Sequence, residues 1–547
     1  MMSADGKLAV TFNGEIYNYK ELRSALEAKG RIFRSQSDTE VLLHLYADRG
    51  RAMVHDLRGM FAFGIWDSES SQLFLARDPF GMKPLYYSDD GGTIRFASQV
   101  KALLVGGGIS QDIDPAGWVG FYLFGSVPEP FTTYRTIRIL PSGSLLRVDR
   151  RGPHDPERYH SIAAIYSDSE VSQPAHKHEE RQELIREALL DSVRHHLVAD
   201  VPVGAFLSAG IDSGALVGLM RDAGQSDIQT VTLAFEEFQG RSDDEGPLAS
   251  VVAQTYETRH TLRVVKKPEF LADLPLILSA MDQPSIDGIN SWFVAKATHE
   301  LGLKVAISGL GGDELFGGYP SFSDIPRWVR WLKLPASVPW LGTTLRRAAV
   351  GLGVERLGVK AKALGLLEYG GDYAGAWFLR RGLFMPWELD QILDPSLATE
   401  GLERLQPMRL IESVLKPRPR SCFARVATME SALYMRNQLL RDTDWASMAH
   451  SLEVRTPLVD ATLLRRIAEV GPFGDARQPK QYLALAPTTP LPPAVISRRK
   501  TGFGVPVAPW MPGSTVQTSR SPYGYARTWA HHVASTMAIG HSLAWGG

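Results

Sequence analysis

The stretch Val201-Pro-Val-Gly-Ala-Phe-Leu-Ser-Ala-Gly-Ile-Asp-Ser-Gly-Ala-Leu-Val217 decides the fold. Residues 203–207 form an apolar run that reads as a buried strand, Ser208-Ala209-Gly210 break it, and residues 212–220 resume with helical spacing. A strand, a small-residue turn and a helix start make an anion cradle, because free backbone N–H groups and the helix dipole point at one spot. Ser208 and Ser213 add hydroxyl donors. Asp212 among phosphates makes sense only if a divalent cation bridges them. No Gly-Lys-Ser/Thr follows, so this is not a Walker loop.

Around this stretch the chain alternates helix and strand. Leu184, Ala188, Leu189, Val193 and Leu197 share one helical face, and buried strands are expected at residues 228–235 and 303–308. That alternation predicts a doubly wound parallel sheet with its ligand at the strands' carboxyl ends. Beyond about residue 320 the pattern is mostly helical. Upstream, residues 8–104 carry β patterns: Leu8-Ala-Val-Thr-Phe12 is a strand and a helix follows near residues 20–29. Phe61-Ala-Phe-Gly-Ile-Trp66 and Leu73-Phe-Leu-Ala76 flank a polar turn as a hairpin. Residues 161–180 are polar and unpatterned and read as a linker. The expected division is a first domain at 1–160, a linker at 161–180, a second domain at 181–511 and an irregular tail at 512–547. His531, His532 and His541 in that tail read as surface histidines.

With 547 residues, the chain calls for roughly two to three domains. A net charge of −1 gives no electrostatic case for nucleic acid or an acidic membrane surface. The single cysteine, Cys422, excludes an internal disulfide framework and a cysteine zinc site. The longest apolar stretch is interrupted by Asp212, so no membrane span is expected, and a cytoplasmic location follows.

The last of the expected strands ends in Ser308-Gly-Leu-Gly-Gly-Asp-Glu-Leu-Phe-Gly-Gly-Tyr319. Asp212 and Asp313 follow different strands of one sheet and are expected to converge on one Mg2+ ion. The first loop resembles the Ser-Gly-Gly-x-Asp-Ser PP-loop of enzymes that split ATP into AMP and pyrophosphate. With Asn13-Gly-Glu-Ile-Tyr-Asn18, Ser37-Asp-Thr-Glu40, Arg77-Asp-Pro-Phe-Gly-Met-Lys-Pro-Leu-Tyr86, Asp282-Gln-Pro284, Ala446-Ser-Met-Ala-His-Ser-Leu-Glu-Val-Arg455 and Lys500-Thr-Gly-Phe-Gly-Val-Pro506, the chain is similar to the asparagine synthetase family of class II glutamine amidotransferases.

The resemblance implies an Ntn-type αββα amidotransferase domain, incomplete here, followed by a PP-loop ATP pyrophosphatase domain. It implies adenylation of a carboxylate, such as that of aspartate, by Mg-ATP, then attack by ammonia. Ser208, Gly210, Asp212 and Ser213 would hold the pyrophosphate end of ATP, and Ser308 and Gly309 the adenosine portion. Asp212 and Asp313 would hold magnesium, and Lys500 would offset charge on the phosphates. Asn13 and the Gly14 N–H match the family's oxyanion hole, and Asp38 the acid that holds the glutamine α-amino group. A homodimer through the first domain is also implied. Glu453 and Arg455 read as a structural ion pair.

Several positions depart from the family. Ala209 replaces a glycine, which would cost roughly 1–2 kcal/mol at positive φ, so a negative φ is expected there. Only twelve residues precede Asn13 and none is cysteine, so the chain as written is expected to lack glutamine hydrolysis; an internal start in the gene model is the preferred reason. The stub of the first domain is expected to expose unpaired strand edges. Leu310 stands where standard asparagine synthetases carry an acid, similar to amidotransferases of exopolysaccharide and exosortase clusters, and Gln99 replaces a usual Glu. The alternatives are a PP-loop amidotransferase or cyclase acting on a different carboxylate, and an inactive nucleotide-binding fragment.

Overall fold

A computed structural model describes residues 1–171, 176–241, 244–352, 361–471, 480–498, 504–511 and 522–537. The amino-terminal strands are β1 (Leu8–Ile16), β2 (Gly59–Asp67), β3 (Gln72–Arg77), β4 (Tyr86–Asp89), β5 (Ile94–Ala97), β6 (Ile137–Ile139), β7 (Ser144–Asp149), β8 (Gly152–Pro153) and β9 (Glu157–Arg158). They form two sheets, one in the order β1-β2-β3-β7-β8 with β9 also on β7, the other in the order β5-β4-β6. The expected hairpin is β2 against β3, with Asp67 opposite Gln72.

Period-two alternation assigns each face. Phe61, Phe63, Ile65 and Phe74 pack with Leu26, Val41, Leu42 and Leu45 of the helices Tyr19–Ala28 and Asp38–Arg49. Ala62, Leu73 and Leu75 point the other way and meet Leu85, Tyr87 and Phe96 between the sheets. Tyr86, Ile137 and Ile139 then pack on Val100 and Leu103 of the helix Val100–Val105. The layers are helix, sheet, sheet, helix, the αββα arrangement expected. β1 lies at the sheet's edge, where Val10 N donates to Met1 O at 2.8 Å and Ser3 N to Leu8 O at 2.9 Å, so the first residues fold back over part of it.

The second domain is built on β10 (Val203–Phe206), β11 (Gln229–Phe235), β12 (Arg259–Val265), β13 (Val305–Ile307) and β14 (Glu453–Arg455), all parallel, in the order β12-β11-β10-β13-β14. The chain leaves β10 in one direction and returns on its other side as β13. The gap between them is the switch point where doubly wound sheets place ligands. Val203, Ala205, Val305 and Ile307 pack on one side with the helices His178–His196, Ile211–Asp222 and Ala461–Val470. Val231, Leu233 and Phe235 face a larger helical core on the other.

Two stretches differ from their sequence reading. Within the expected linker, Ile162–Ser169 is a helix capped by Ser161, whose Oγ accepts from Ala164 N at 3.3 Å. Its Ile162, Ala163 and Tyr166 are buried, and two helical turns are too short for a legible period. Within the expected irregular tail, Pro522–Met537 is a helix, with Trp529, Ala530, Val533 and Ala534 at i, i+1, i+4 and i+5 buried in the main core. His531 packs its ring 5.8 Å from that of Tyr122 and His532 sits 5.5 Å from Trp529, so neither is a simple surface residue; His541 lies outside the described residues. Among the described residues, no helix is long and apolar enough to cross a membrane.

Candidate functional site

The turn after β10 is held by its own serines. Ser208 N donates to Ser213 Oγ at 3.0 Å, the two hydroxyls lie 2.9 Å apart, and Gly210 N donates to Ser208 Oγ at 3.1 Å. Both hydroxyls are thereby held within the turn that precedes the helix Ile211–Asp222. Ala209 is buried and is not among the residues of positive φ, as expected from the cost of a Cβ there.

The loop after β13 reaches the same place. Ser308 N donates to Arg455 O at 2.9 Å, which ties it to β14. Gly311 has φ +98° and opens the short helix Gly312–Phe316. A Cβ on Gly312 would stand 2.5 Å from Asp212 Cγ and push that carboxylate aside, while one on Gly309 would stand 2.8 Å from the Ser213 backbone N, so glycine at 309 is what lets the two loops approach this closely. Asp212 and Asp313 are brought together, and a third residue joins them. Lys480 Nζ lies 2.6 Å from Asp212 Oδ2 and 2.5 Å from Asp313 Oδ1. Burial disfavours the Lys480 charge, yet the two carboxylates overcome it and hold its pKa above the ordinary lysine value.

These residues line a cavity of about 560 Å³ at the switch point, together with Gly210, Ser308, Gly309 and Leu310. Leu310 packs against the core under the PP-loop and offers the cavity no charge. Behind Ala209, Glu245 faces Arg498 Nη1 at 3.6 Å, and burial raises its pKa. The lining also includes Asp287 and Asp442. Burial, then the charge of Asp287, pushes Asp442 up to about 7. Lys500 lies outside the described residues. Among the described residues, no group of three metal-type side chains is assembled.

The amino-terminal candidates gather at the end of β1. Asn13 Nδ2 donates to Ser98 Oγ at 3.1 Å, and Asp38 Oδ2 accepts from Ile16 N at 3.0 Å. Gly14 has φ +144°, and a Cβ there would stand 2.0 Å from Met60 O. Glu15 between them approaches Arg455 Nη2 at 3.7 Å, while Arg455 Nε donates to Glu453 Oε1 at 2.6 Å, the expected ion pair. Burial raises Glu15 to about 7 against the pull of Arg455. Cys422 is exposed at the start of the helix Cys422–Met429, far along the chain from these groups.

Sequence reasoning missed Lys480, Glu245, Asp287 and Asp442. Only Asp287, just before Gly288 with its φ of +91° at a helix start, carries a local signal.

A family model described as asparagine synthase matches residues 184–521, and one described as glutamine amidotransferase domain matches residues 1–160. Asparagine synthetase (glutamine-hydrolyzing) 1 of Bacillus subtilis is 32% identical, over 92% of this chain and 76% of its own. Asparagine synthetase (glutamine-hydrolyzing) 3 of the same organism is 30% identical over 62% of this chain and 55% of its own. Amidase chry2 of Gibberella zeae is 29% identical over 58% of this chain and 48% of its own.

Proposed function

The chain belongs to the asparagine synthase family, and on that premise we propose how its residues divide the work of an ATP-dependent amide ligase. The observation that carries this reading is the meeting of two strand-end loops, with Asp212 and Asp313 on one ammonium beside the Ser208–Ser213 hydroxyl pair.

A carboxylate oxygen of the acceptor attacks the α-phosphorus of ATP, and pyrophosphate leaves. Ammonia then attacks the acyl carbon, and AMP leaves as the amide forms. Ser208, Gly210 and Ser213 cradle the departing pyrophosphate with oriented hydroxyls and backbone N–H groups. Ser308 and Gly309 face the adenosine portion. Two hard carboxylate oxygen donors suit magnesium, so Asp212 and Asp313 are the residues that fit it. Bound with ATP, the ion would shield the phosphates' charge. Lys480, held between the two carboxylates, would add positive charge beside the phosphates, and Lys500 is assigned the same electrostatic task.

Residues 1–160 form the amidotransferase domain in this reading, with Asn13 and Gly14 at the oxyanion side and Asp38 toward the glutamine amine. Residues 181–511 form the synthase domain. A homodimer through the first domain and a cytoplasmic location complete the proposal. Aspartate is the first acceptor to test. Because Leu310 leaves its part of the cavity without an acid, a different carboxylate is the second reading.

The test is AMP and asparagine formation from Mg-ATP and aspartate, with ammonium or glutamine as nitrogen source. Asparagine formed with ammonium supports the reading. AMP released without asparagine moves the acceptor to another carboxylate, and no AMP with any carboxylate overturns the assignment.

A further inference from the structure

Away from the nucleotide cavity, a cleft of about 350 Å³ opens where the two domains meet. Four arginines line it: Arg158 from β9, and Arg404, Arg409 and Arg436 from carboxy-terminal helices. The one carboxylate in the lining, Glu129, is already committed, accepting from Arg77 Nη1 at 2.5 Å and from Ser142 N at 3.1 Å. Arg404 is neutralised by Asp114 through contacts of 3.2 and 3.1 Å. Arg158, Arg409 and Arg436 make no ion pair among the described residues.

Arg436 is the most telling of the three. Its Nε donates to Phe80 O at 3.4 Å, a weak bond for a guanidinium. Burial, reinforced by Arg158 and Arg77, pulls its pKa down to about 10 even though Glu129 opposes the change. Its nearest counter-charge, Glu129, is already held by Arg77, so the Arg436 guanidinium keeps donors for a further anion. Arg409 Nη1 is tied to the rim by a 2.9 Å bond to Gln406 Oε1. Gln406 itself, at φ 45° and ψ 62°, is the left-handed cap that ends the helix Pro395–Leu405, so the rim is fixed at the junction of two helices.

We propose that this cleft binds a phosphomonoester, with its phosphate on the forks of Arg158, Arg409 and Arg436 and its organic part against Phe131 and Leu410. Guanidinium forks match phosphate oxygens in pairs. Because Glu129, Phe131 and Arg158 come from one domain and the helices from the other, the ligand bridges them.

The test is calorimetric titration of the full chain with glycerol 3-phosphate and, separately, with inorganic phosphate. Arg158 and Arg409 are exposed, so the double variant Arg158→Ala, Arg409→Ala is expected to fold and to bind glycerol 3-phosphate at least about tenfold more weakly. Ser213→Ala, in the other cavity, is expected to bind it as the wild type does. Equal affinity in wild type and double variant, loss in Ser213→Ala, or no binding by the wild type would overturn the proposal. Inorganic phosphate binding as tightly as the ester would overturn the ester assignment.

Discussion

Lys480 holds its ammonium 2.6 Å from Asp212 Oδ2 although 268 residues separate the two. Asp313 takes the other side at 2.5 Å, so two carboxylates that would repel share one cation. The raised lysine pKa means this contribution to stability is complete below the ordinary lysine value and is lost only as pH rises through the higher folded one. At neutral pH the cluster is fully formed.

Removing the cation with Lys480→Ala is expected to lower stability by roughly 3 kcal/mol, the scale for a largely buried pair broken from one side. Magnesium chloride should recover much of that loss in the variant and little in the wild type, since the ion replaces the missing charge. Urea unfolding with and without magnesium checks this. Identical magnesium responses would show that the two carboxylates do not take the ion.

Asp212→Ala and Asp313→Ala are each expected to abolish AMP and pyrophosphate release, because under the proposed function each would remove a magnesium ligand from beside the reacting phosphates. Coupled AMP and pyrophosphate assays read this directly. Full activity in either variant would withdraw that aspartate from metal binding.

The convergence of Asp212 and Asp313 was legible because each follows an apolar strand within a few residues, and doubly wound topology aligns strand ends. Lys480 was not. It opens the helix Lys480–Ala484, with nothing in its neighbourhood to mark a partner, and only tertiary packing brings it to the site. β12 escaped for a local reason: as the sheet's edge strand it exposes Arg259 and Leu262, leaves most of the others half-buried and buries only Val265, and its sequence mixes polar residues throughout, so no continuous apolar run appears. β14 is three residues long and hides inside a motif read only for its ion pair. The hairpin of β2 and β3 was legible from its two apolar runs and polar turn, whereas the αββα layering was implied only by the family resemblance, because no run of residues states which sheet or helix will cover each strand face.

Gly312→Ala separates chemistry from folding. Its new Cβ would meet the Asp212 carboxylate at 2.5 Å, and a side-chain carboxylate can swing aside more cheaply than backbone. Stability should therefore change by no more than about 1–2 kcal/mol, while AMP formation falls at least about tenfold as Asp212 leaves its position. Steady-state kinetics beside a thermal melt decides this, and an unaltered kcat would show that the position of Asp212 is not critical.

Asp442 makes the cavity wall pH-sensitive. Burial, with Asp287 adding repulsion, raises it from 3.8 to about 7, outweighing the Ser285 hydroxyl at 2.5 Å, the Trp445 indole at 2.8 Å and the Arg441 charge. The folded state thus binds a proton that the unfolded state has released between those two values. Stability is fully present below the lower pKa and declines as pH rises to the higher, on the order of 1 kcal/mol per pH unit. Asp442→Asn cannot ionise, so its urea midpoint should fall less steeply across that window and exceed that of the wild type above pH 7 or so. Midpoints measured at intervals from acid to mildly alkaline pH test this, and parallel curves for the two proteins would show that Asp442 keeps its charge in the fold.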